Sequence, residues 1–133
     1  MAKFRKLFTP FNIKNLALKN RVVMPPMCQY SATDGMPNDW HFVHYTSRAV
    51  GGVGLIIVEM TNVTPNGRIT PNCLGLWNDE QQQAFKKLVD SVHAQGAKSV
   101  CKSPMPDAKH KTSRMQWLQV QFTTVSWIMP DKI

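Results

Sequence analysis

The stretch NRVVMPPMCQY, from Asn20 to Tyr30, predicts how the rest of the chain is organised. It contains a short apolar run, Val22–Met24, in which two of the three residues are β-branched. Such a run is typical of a buried strand. Pro25 and Pro26 follow directly, and proline has no amide hydrogen with which to continue a strand ladder. The stretch therefore predicts a short buried strand that ends at the two prolines.

Soft and aromatic side chains come directly after this predicted strand. In a parallel α/β protein, the residues just past the carboxyl end of a strand face the ligand. We therefore expect Cys28 and Tyr30 to lie at the rim of a site. The alternatives are that Cys28 is a small buried hydrophobic residue, as free cysteines commonly are, and that Tyr30 is an ordinary packing residue.

The segments on either side of this stretch read as turns. Residues 7–19 alternate around a Lys14-Asn15 turn signal, which predicts a small hairpin before the strand. Ser31–Asp39 (SATDGMPND) consists of turn-forming residues and predicts a loop.

A first helix is predicted over Trp40–Val50, capped by Asp39 and ended by the glycine pair that follows. Phe42, Val43 and Ala49 would form its apolar side. The apolar run Val53–Met60 then predicts a parallel strand buried on both faces.

The next unit repeats this order. Thr61–Asn78 predicts a long loop after the strand, where functional residues are common. Asn78 or Asp79 would cap a second helix that ends at Gly96. The apolar face of this helix would comprise Phe85, Leu88, Val89 and Val92. Strand, helix, strand and helix in succession indicate a parallel α/β fold, with Ala97-Lys98 leading toward a third strand.

Composition excludes several classes of protein. The net charge of +8 invites a nucleic-acid interpretation, but only Lys3, Arg5 and Lys6 form a tight basic cluster, and no aromatic residues alternate with it. The three cysteines fit neither a disulfide framework nor a zinc pattern. His41 and His44 share one helix face, but without a carboxylate or cysteine partner at metal-ligand spacing they favour structural hydrogen bonding. No signal peptide or membrane span is predicted, so a cytoplasmic location is expected.

Residues 99–133 change in character. Prolines and basic residues interrupt the segment where the third strand is expected, and only Trp117–Val125 alternates. We therefore expect no strand after Lys98 and a disordered tail over 99–133. The neighbouring reading frame across Val100–His110 can encode V-Q-I-A-H-A-G-R-K-A, which begins as an apolar strand. A frameshift would explain the change.

The motifs along residues 4–98 together resemble the Old Yellow Enzyme family, and Cys28 in the PPMCQY context resembles its thermophilic-like branch. The resemblance is carried by Leu7–Pro10, KNRVVMPPMCQY (Lys19–Tyr30), HFVHYTSRAVGGVG (His41–Gly54), Leu55–Glu59 and GRITPNCLGLWND (Gly67–Asp79). The HAGRKA of the shifted frame is similar to the next segment of that family. The resemblance implies the N-terminal portion of a TIM (β/α)8 barrel over residues 1–98.

The resemblance also implies site residues and cofactors. The cofactor would be FMN, with NADPH or NADH as the reductant and an activated enone or enoate as the small-molecule substrate. Pro25, Pro26, Met27, Cys28 and Met60 would border the flavin, and Tyr30 would line the substrate pocket. Pro25 stands where some relatives have serine, and Met60 stands where many have alanine. Glu59 and Arg48 are interpreted as scaffold or rim residues.

The family's proton-donating tyrosine and substrate-binding histidines would lie further along, so no catalytic residue is assigned here. An inactive fragment is therefore expected. One alternative is a non-enzymatic fragment that associates with an intact relative through its open sheet edge, and a homo-oligomer is a separate expectation. A second alternative is a small basic module that binds nucleic acid through residues 99–133, and this ranks last.

Overall fold

The chain begins with a β-hairpin in the part that the computed structural model describes, which is residues 6–104 and 115–118. β1 (Phe11–Ile13) pairs antiparallel with β2 (Leu16–Leu18). Lys14, with φ of 52°, turns the chain between them. The predicted hairpin is confirmed.

The strand that opens the parallel sheet is shorter than its apolar run. β3 (Val23–Met24) pairs parallel with β4 (Leu55–Asn62), and Val23 lies opposite Leu55. The preceding turn is held by Asn20, whose side chain donates to the Gly52 carbonyl at 2.7 Å and accepts the amide of Val22 at 3.0 Å. These local bonds hold the chain in a turn up to Val22, so pairing starts one residue later.

Helix α1 (Asp39–Val50) begins one residue earlier than predicted. Its N-cap is Asn38 and not Asp39, because the Asn38 side chain accepts the Trp40 amide at 3.2 Å. The buried face consists of His41, His44, Tyr45 and Ala49. Val43 is 67% exposed, so its assignment to the apolar side is wrong. Sequence hydrophobicity misplaced this face because two of the inward residues are histidines.

The second unit follows the prediction closely. α2 (Asp79–Ala94) is capped by Asn78, whose side chain accepts the Gln81 amide at 2.8 Å. Its inward residues include the four predicted ones, Phe85, Leu88, Val89 and Val92. Gly96 ends the unit in a left-handed conformation with φ of 73°.

A third parallel strand does follow α2. β6 (Lys98–Pro104) pairs with β4, and Leu55 lies opposite Lys98. The expectation that no strand follows Lys98 is therefore wrong. Pairing with the edge of β4 outweighs the poor local strand pattern. β7 (Met115–Leu118) pairs antiparallel with β6, and the rest of the predicted tail lies outside the described residues.

The predicted long loop has internal structure. It contains a short 3-10 helix, Pro65–Gly67, and a two-residue strand β5 (Leu74–Gly75). β5 pairs parallel with the last two residues of β4, Thr61 and Asn62. The loop therefore folds back over the carboxyl end of β4.

The core lies between the two helices and the sheet, whose strand order is β3-β4-β6-β7, with β5 attached to β4. The buried cluster includes Met24, Tyr45, Ala49, Ile56, Val58, Phe85, Leu88, Val92 and Cys101. Among the described residues, no helix has the length and apolar character that crossing a membrane requires.

Candidate functional site at the carboxyl edge of the sheet

The sequence-predicted site residues lie where two neighbouring parallel strands end. β3 and β4 run parallel in register, with Met24 opposite Ile56. The segment after β3, residues 25–30, and the last residues of β4 therefore emerge at the same edge. Pro25 is exposed and Pro26 is half-buried, as is Met60 near the end of β4.

Three side chains beyond the prolines are open to solvent. Met27 is 45% exposed, Tyr30 is 47% exposed and Cys28 is exposed. The Cys28 thiol lies beside the Tyr30 phenol and raises the pKa of Tyr30, first through its charge and then through a hydrogen bond. Cys28 is thus an exposed thiol, whereas Cys73 and Cys101 are buried.

Tyr30 has an unusual backbone conformation. Its φ is 50°, in the left-handed region that non-glycine residues seldom occupy. Conformations of this kind cost about 1–3 kcal/mol and persist only where the surroundings enforce them. The bonds on either side of Tyr30 do so: the amide of Gln29 donates to Glu59 at 2.7 Å, and the Ser31 hydroxyl donates to the Gln29 carbonyl at 3.0 Å.

The loop that follows Tyr30 is tied to the loop that follows β4. Asn72 and Ala32 exchange two hydrogen bonds: the Ala32 amide donates to the Asn72 carbonyl at 3.0 Å, and the Asn72 side chain donates to the Ala32 carbonyl at 3.1 Å. The Gly75 amide donates to the Gly35 carbonyl at 2.9 Å. These contacts join the two loops into one rim.

Glu59 is the site residue that sequence reasoning undervalued. It is 1% exposed, so it is buried behind the rim and does not form part of the surface. Its carboxylate accepts the amide of Gln29 and the Tyr45 hydroxyl, the latter at 3.2 Å, and its own amide donates back to the Tyr45 oxygen at 3.0 Å. Burial raises the pKa of Glu59, opposed by the Gln29 and Tyr45 hydrogen bonds. The available signal was a single acid inside the apolar run LIIVEM.

A bulge in β4 places this carboxylate. Val58 pairs with Cys101, but the next partner of β6 is Met60, so Glu59 is the extra residue. A bulge bends a strand and redirects a side chain, and bulges are frequent beside functional sites. The Glu59 side chain is therefore directed to Tyr45 of α1. The residue before it, Val58, belongs to the core, and Met60 follows the bulge.

His41 stands on the other side of the carboxylate. The Asn38 amide donates to its Nδ1 at 3.2 Å, which completes a capping box for α1. Nδ1 also lies 2.9 Å from the Asn38 side-chain oxygen. Nε2 lies 3.6 Å from Glu59 Oε1, which is beyond hydrogen-bond distance. Burial, and then the charge of His44, lowers the pKa of His41 to about 4, so the ring is neutral at pH 7.

The described residues contain no group of His, Cys, Asp and Glu that could hold a metal ion. Arg48 donates to the His44 carbonyl at 2.9 Å in the last turn of α1. That turn leads into the amino end of β4, so Arg48 lies away from the carboxyl edge.

Comparisons with known proteins agree with this architecture. The model of the NADH:flavin oxidoreductase / NADH oxidase family matches residues 6–104. An NADPH dehydrogenase of Listeria monocytogenes serotype 4b is 56% identical over 96 residues, which cover 71% of this chain and 28% of that protein. An NADPH dehydrogenase of Bacillus subtilis (strain 168) is 55% identical over 96 residues, with the same coverage, 71% and 28%. The chain thus spans about 28% of the length of the curated relatives it matches.

Solved structures show the same fold. Morphinone reductase in complex with tetrahydroNAD has a TM-score of 0.68 and 36% identity, over 73% of this chain and 26% of that one. The old yellow enzyme from Trypanosoma cruzi has a TM-score of 0.71 and 31% identity, over 77% and 28% of the two chains. The α/β fold is thus an incomplete TIM barrel, as predicted. With the family model matching most of its length, the chain belongs to the NADH:flavin oxidoreductase / NADH oxidase family, in which the Old Yellow Enzymes are found.

Proposed function

We propose that this chain is the flavin-facing N-terminal part of an FMN-dependent NAD(P)H oxidoreductase that reduces activated C=C bonds of enones or enoates. The observation that carries the proposal is the arrangement at the carboxyl edge of β3 and β4. There the side chains of Cys28, Met27 and Tyr30 are exposed on one turn of the backbone, and Glu59 binds the amide of that turn. In a TIM barrel this edge is where the ligand binds.

The residues present fit an isoalloxazine ring. Such a ring needs an apolar, polarisable surface and polar backbone groups at its margin. Met27 and Cys28 supply soft sulfur atoms, and the prolines before them stiffen the turn. The acid next to the turn, Glu59, is buried, and its carboxylate oxygens accept hydrogen bonds from Gln29 and Tyr45. The flavin, when bound, supplies the hydride chemistry, and the protein supplies binding and orientation.

Each residue then has a proposed part. Pro25, Pro26, Met27 and Cys28 form the wall along one side of the ring, and Met60 borders its pyrimidine end. Tyr30, open to solvent beside Cys28, lines the substrate pocket. The proline at position 25 offers no hydroxyl or amide donor, so it makes no hydrogen bond to the ring as a donor. Met60 fills more space than alanine and therefore leaves less room for the ring.

The described residues include three consecutive parallel strands, β3, β4 and β6, of a barrel that closes with eight. We propose that these strands, tested without the rest of a barrel, bind FMN weakly and do not turn over. The cytoplasm is the proposed location, and the open sheet makes self-association the proposed interaction.

The test is a titration of FMN into the full chain, followed by flavin fluorescence, with enoate-dependent NADPH oxidation measured in parallel. We expect saturable fluorescence quenching that Cys28→Arg weakens by about tenfold or more, because a bulky cation would occupy the ring's seat. The control is Lys87→Arg on the exposed side of α2, which should leave the titration unchanged. Equal affinity of Cys28→Arg and wild type would contradict the assignment of this edge, and turnover by the chain alone would contradict its proposed inactivity.

A further inference from the structure

Four groups converge on the buried carboxylate of Glu59. The amide of Gln29 approaches Oε2 at 2.7 Å, the Tyr45 hydroxyl approaches Oε1 at 3.2 Å, and His41 Nε2 stands 3.6 Å from Oε1. The Tyr30 amide also faces the carboxylate. The two amides and the Tyr45 hydroxyl are hydrogen-bond donors and favour the charged carboxylate, whereas burial disfavours the charge and raises the pKa of Glu59.

The groups around the carboxylate come from regular elements on one side and from a loop on the other. Tyr45 and His41 belong to the rigid helix α1, and Glu59 itself belongs to the central strand β4. Gln29 belongs to the segment that has left the sheet after β3 and makes no strand pairing. The carboxylate therefore links the main chain of this segment to β4 and α1, beside the bond that Trp40 of α1 donates to the Gln29 side-chain oxygen at 3.2 Å.

This link acts where the backbone is strained. Gln29 directly precedes Tyr30, whose φ of 50° is the unfavourable left-handed conformation. Because Glu59 fixes the Gln29 amide, the chain changes direction at Tyr30, whose ring is exposed. Loss of this anchor would leave Tyr30 with less support for its positive φ, so we expect the orientation of Cys28 and Tyr30 to change.

We propose that Glu59 is the positioning residue of this rim: it anchors the Gln29 amide, holds Tyr30 in its left-handed turn, and so orients Cys28 and Tyr30 toward the flavin and substrate. This inference rests on the proposed function for what the rim binds, and on the geometry alone for how the rim is held. Glu59 touches neither flavin nor substrate and acts through the turn.

The first test is amide hydrogen exchange of the full chain, measured residue by residue by NMR. Glu59→Leu keeps the side chain's approximate size and removes both acceptor oxygens, so the Gln29 amide should exchange about tenfold faster or more. Glu59→Gln keeps one neutral acceptor and should restore most of the protection. Glu80→Leu, at the exposed start of α2, is the matched control and should leave Gln29 unchanged. Unchanged protection of Gln29 in Glu59→Leu would overturn the proposal.

A second measurement needs no variant, which covers the case in which Glu59→Leu does not fold. The Glu59 carboxyl carbon and the Gln29 amide proton are followed together as the pH of the wild-type chain is lowered. If the carboxylate holds the amide, both signals move with one midpoint, and the Tyr30 amide follows them. The imidazole signals of His41, which is next to Glu59, and of His44, which is next to Tyr45, identify any histidine titration separately. Independent midpoints for Glu59 and Gln29 would overturn the proposal.

FMN affinity separates the two levels of inference. Glu59→Leu should weaken FMN binding by about tenfold relative to Glu80→Leu if the rim it holds is the flavin wall. Equal FMN affinity in these two variants would overturn the orienting role of Glu59. If the wild-type chain binds no FMN, the proposed function fails, and the exchange and titration results still decide whether Glu59 anchors the turn.

Discussion

At the scale of single residues, the exposed side chains of the site are held by buried residues that are distant from them in sequence. Cys28 and Tyr30 are visible as candidates because they follow a proline-terminated strand. The residues that hold them, Glu59 and Tyr45, are visible only as an acid in an apolar run and an aromatic in a helix. Sequence spacing cannot indicate that Tyr45 and Glu59 exchange hydrogen bonds, because the contact depends on how α1 packs on β4.

The Cys28–Tyr30 contact predicts a change in phenol ionisation. The pKa of Tyr30 is raised chiefly by the charge of the neighbouring thiolate, which disfavours a second negative charge. Cys28→Ser removes that charge, so the pKa of Tyr30 should fall. The measurement is tyrosinate absorbance against pH. Tyr45 does not interfere, since burial raises its pKa beyond that of ordinary phenols. Cys73→Ser, whose charge affects Tyr30 less, is the control, and an equal shift in both variants would contradict the assignment.

Burial of neutral His41 predicts a loss of stability in acid. Its pKa is lowered from 6.5 to about 4, so the unfolded chain takes up the proton first as the pH falls. Stability from this group is complete above about pH 6.5 and declines down to about pH 4, by up to about 3 kcal/mol. His41→Gln should flatten this dependence, because glutamine keeps the capping-box acceptor without titrating.

Denaturant unfolding of both proteins at pH 7 and pH 5 makes the comparison. His93→Gln on α2, whose pKa is also lowered by burial, is the control for a second histidine. Identical pH dependence in wild type and His41→Gln would show that His41 does not contribute. Glu59 acts in the opposite sense, since its raised pKa favours the folded state as the pH falls.

At the scale of elements, local signals were reliable where backbone chemistry is local. The hairpin, both helices and the buried strand β4 follow from turn residues, caps and apolar period. The third strand has no clear sequence signal because the residues after Lys98 have a poor strand pattern. Its stability comes from backbone pairing with β4. The strand β5 inside the predicted loop Thr61–Asn78 has no sequence signal, because it is only two residues long and depends on its pairing with β4.

Gly54 lies at an element junction where the backbone of Asn20 approaches closely. A Cβ at this position would lie 2.5 Å from Asn20 Oδ1 and 2.7 Å from the Asn20 backbone oxygen. Its amide and carbonyl also bond to Val22 and Lys98, so it connects the starts of three strands. We expect Gly54→Ala to lower the free energy of unfolding by about 1–3 kcal/mol.

The matched control for this change is Gly51→Ala. A Cβ at Gly51 would meet no atom closer than 3.4 Å, and its φ of −67° suits alanine. That variant should unfold within about 0.5 kcal/mol of wild type in the same denaturant titration. Equal loss of stability in the two variants would contradict the close approach of Gly54 to Asn20.

At the scale of the whole molecule, the described sheet is open. β3 lies at one end of the strand order and pairs, among the described residues, with β4 alone. Val23 on this strand is 43% exposed. An apolar strand edge of this kind is a template for pairing with another chain, which supports the proposed self-association.

This open edge predicts concentration-dependent association. Val23→Lys places a charge on the edge strand and should reduce the associated fraction to about half or less in sedimentation velocity. Val50→Lys, on the 66% exposed end of α1, adds the same charge away from the edge and should leave association unchanged. Equal effects of the two substitutions would indicate a charge effect and not strand pairing.

The frameshift remains a prediction, and it concerns only the chain beyond the third strand's start. β6 and the family match both extend to residue 104 in the present frame. Sequencing of the coding DNA from Ala94 onward tests it. An added or missing base near Lys98, followed by a frame that encodes HAGRKA, is the expected result.

The sequence by itself determined the hairpin, the succession of β3, α1, β4 and α2, the cap of α2, the buried faces of β4 and α2, and the segment that carries the candidate site. These depend on periodicity and on turn chemistry, which act over a few residues. Only the tertiary structure decided the third strand, the inward histidines of α1, the bulge at Glu59 and the left-handed turn at Tyr30. Each of these is unfavourable or ambiguous locally, and each is stabilised by partners many residues away, so its energy is not encoded in any single stretch of chain.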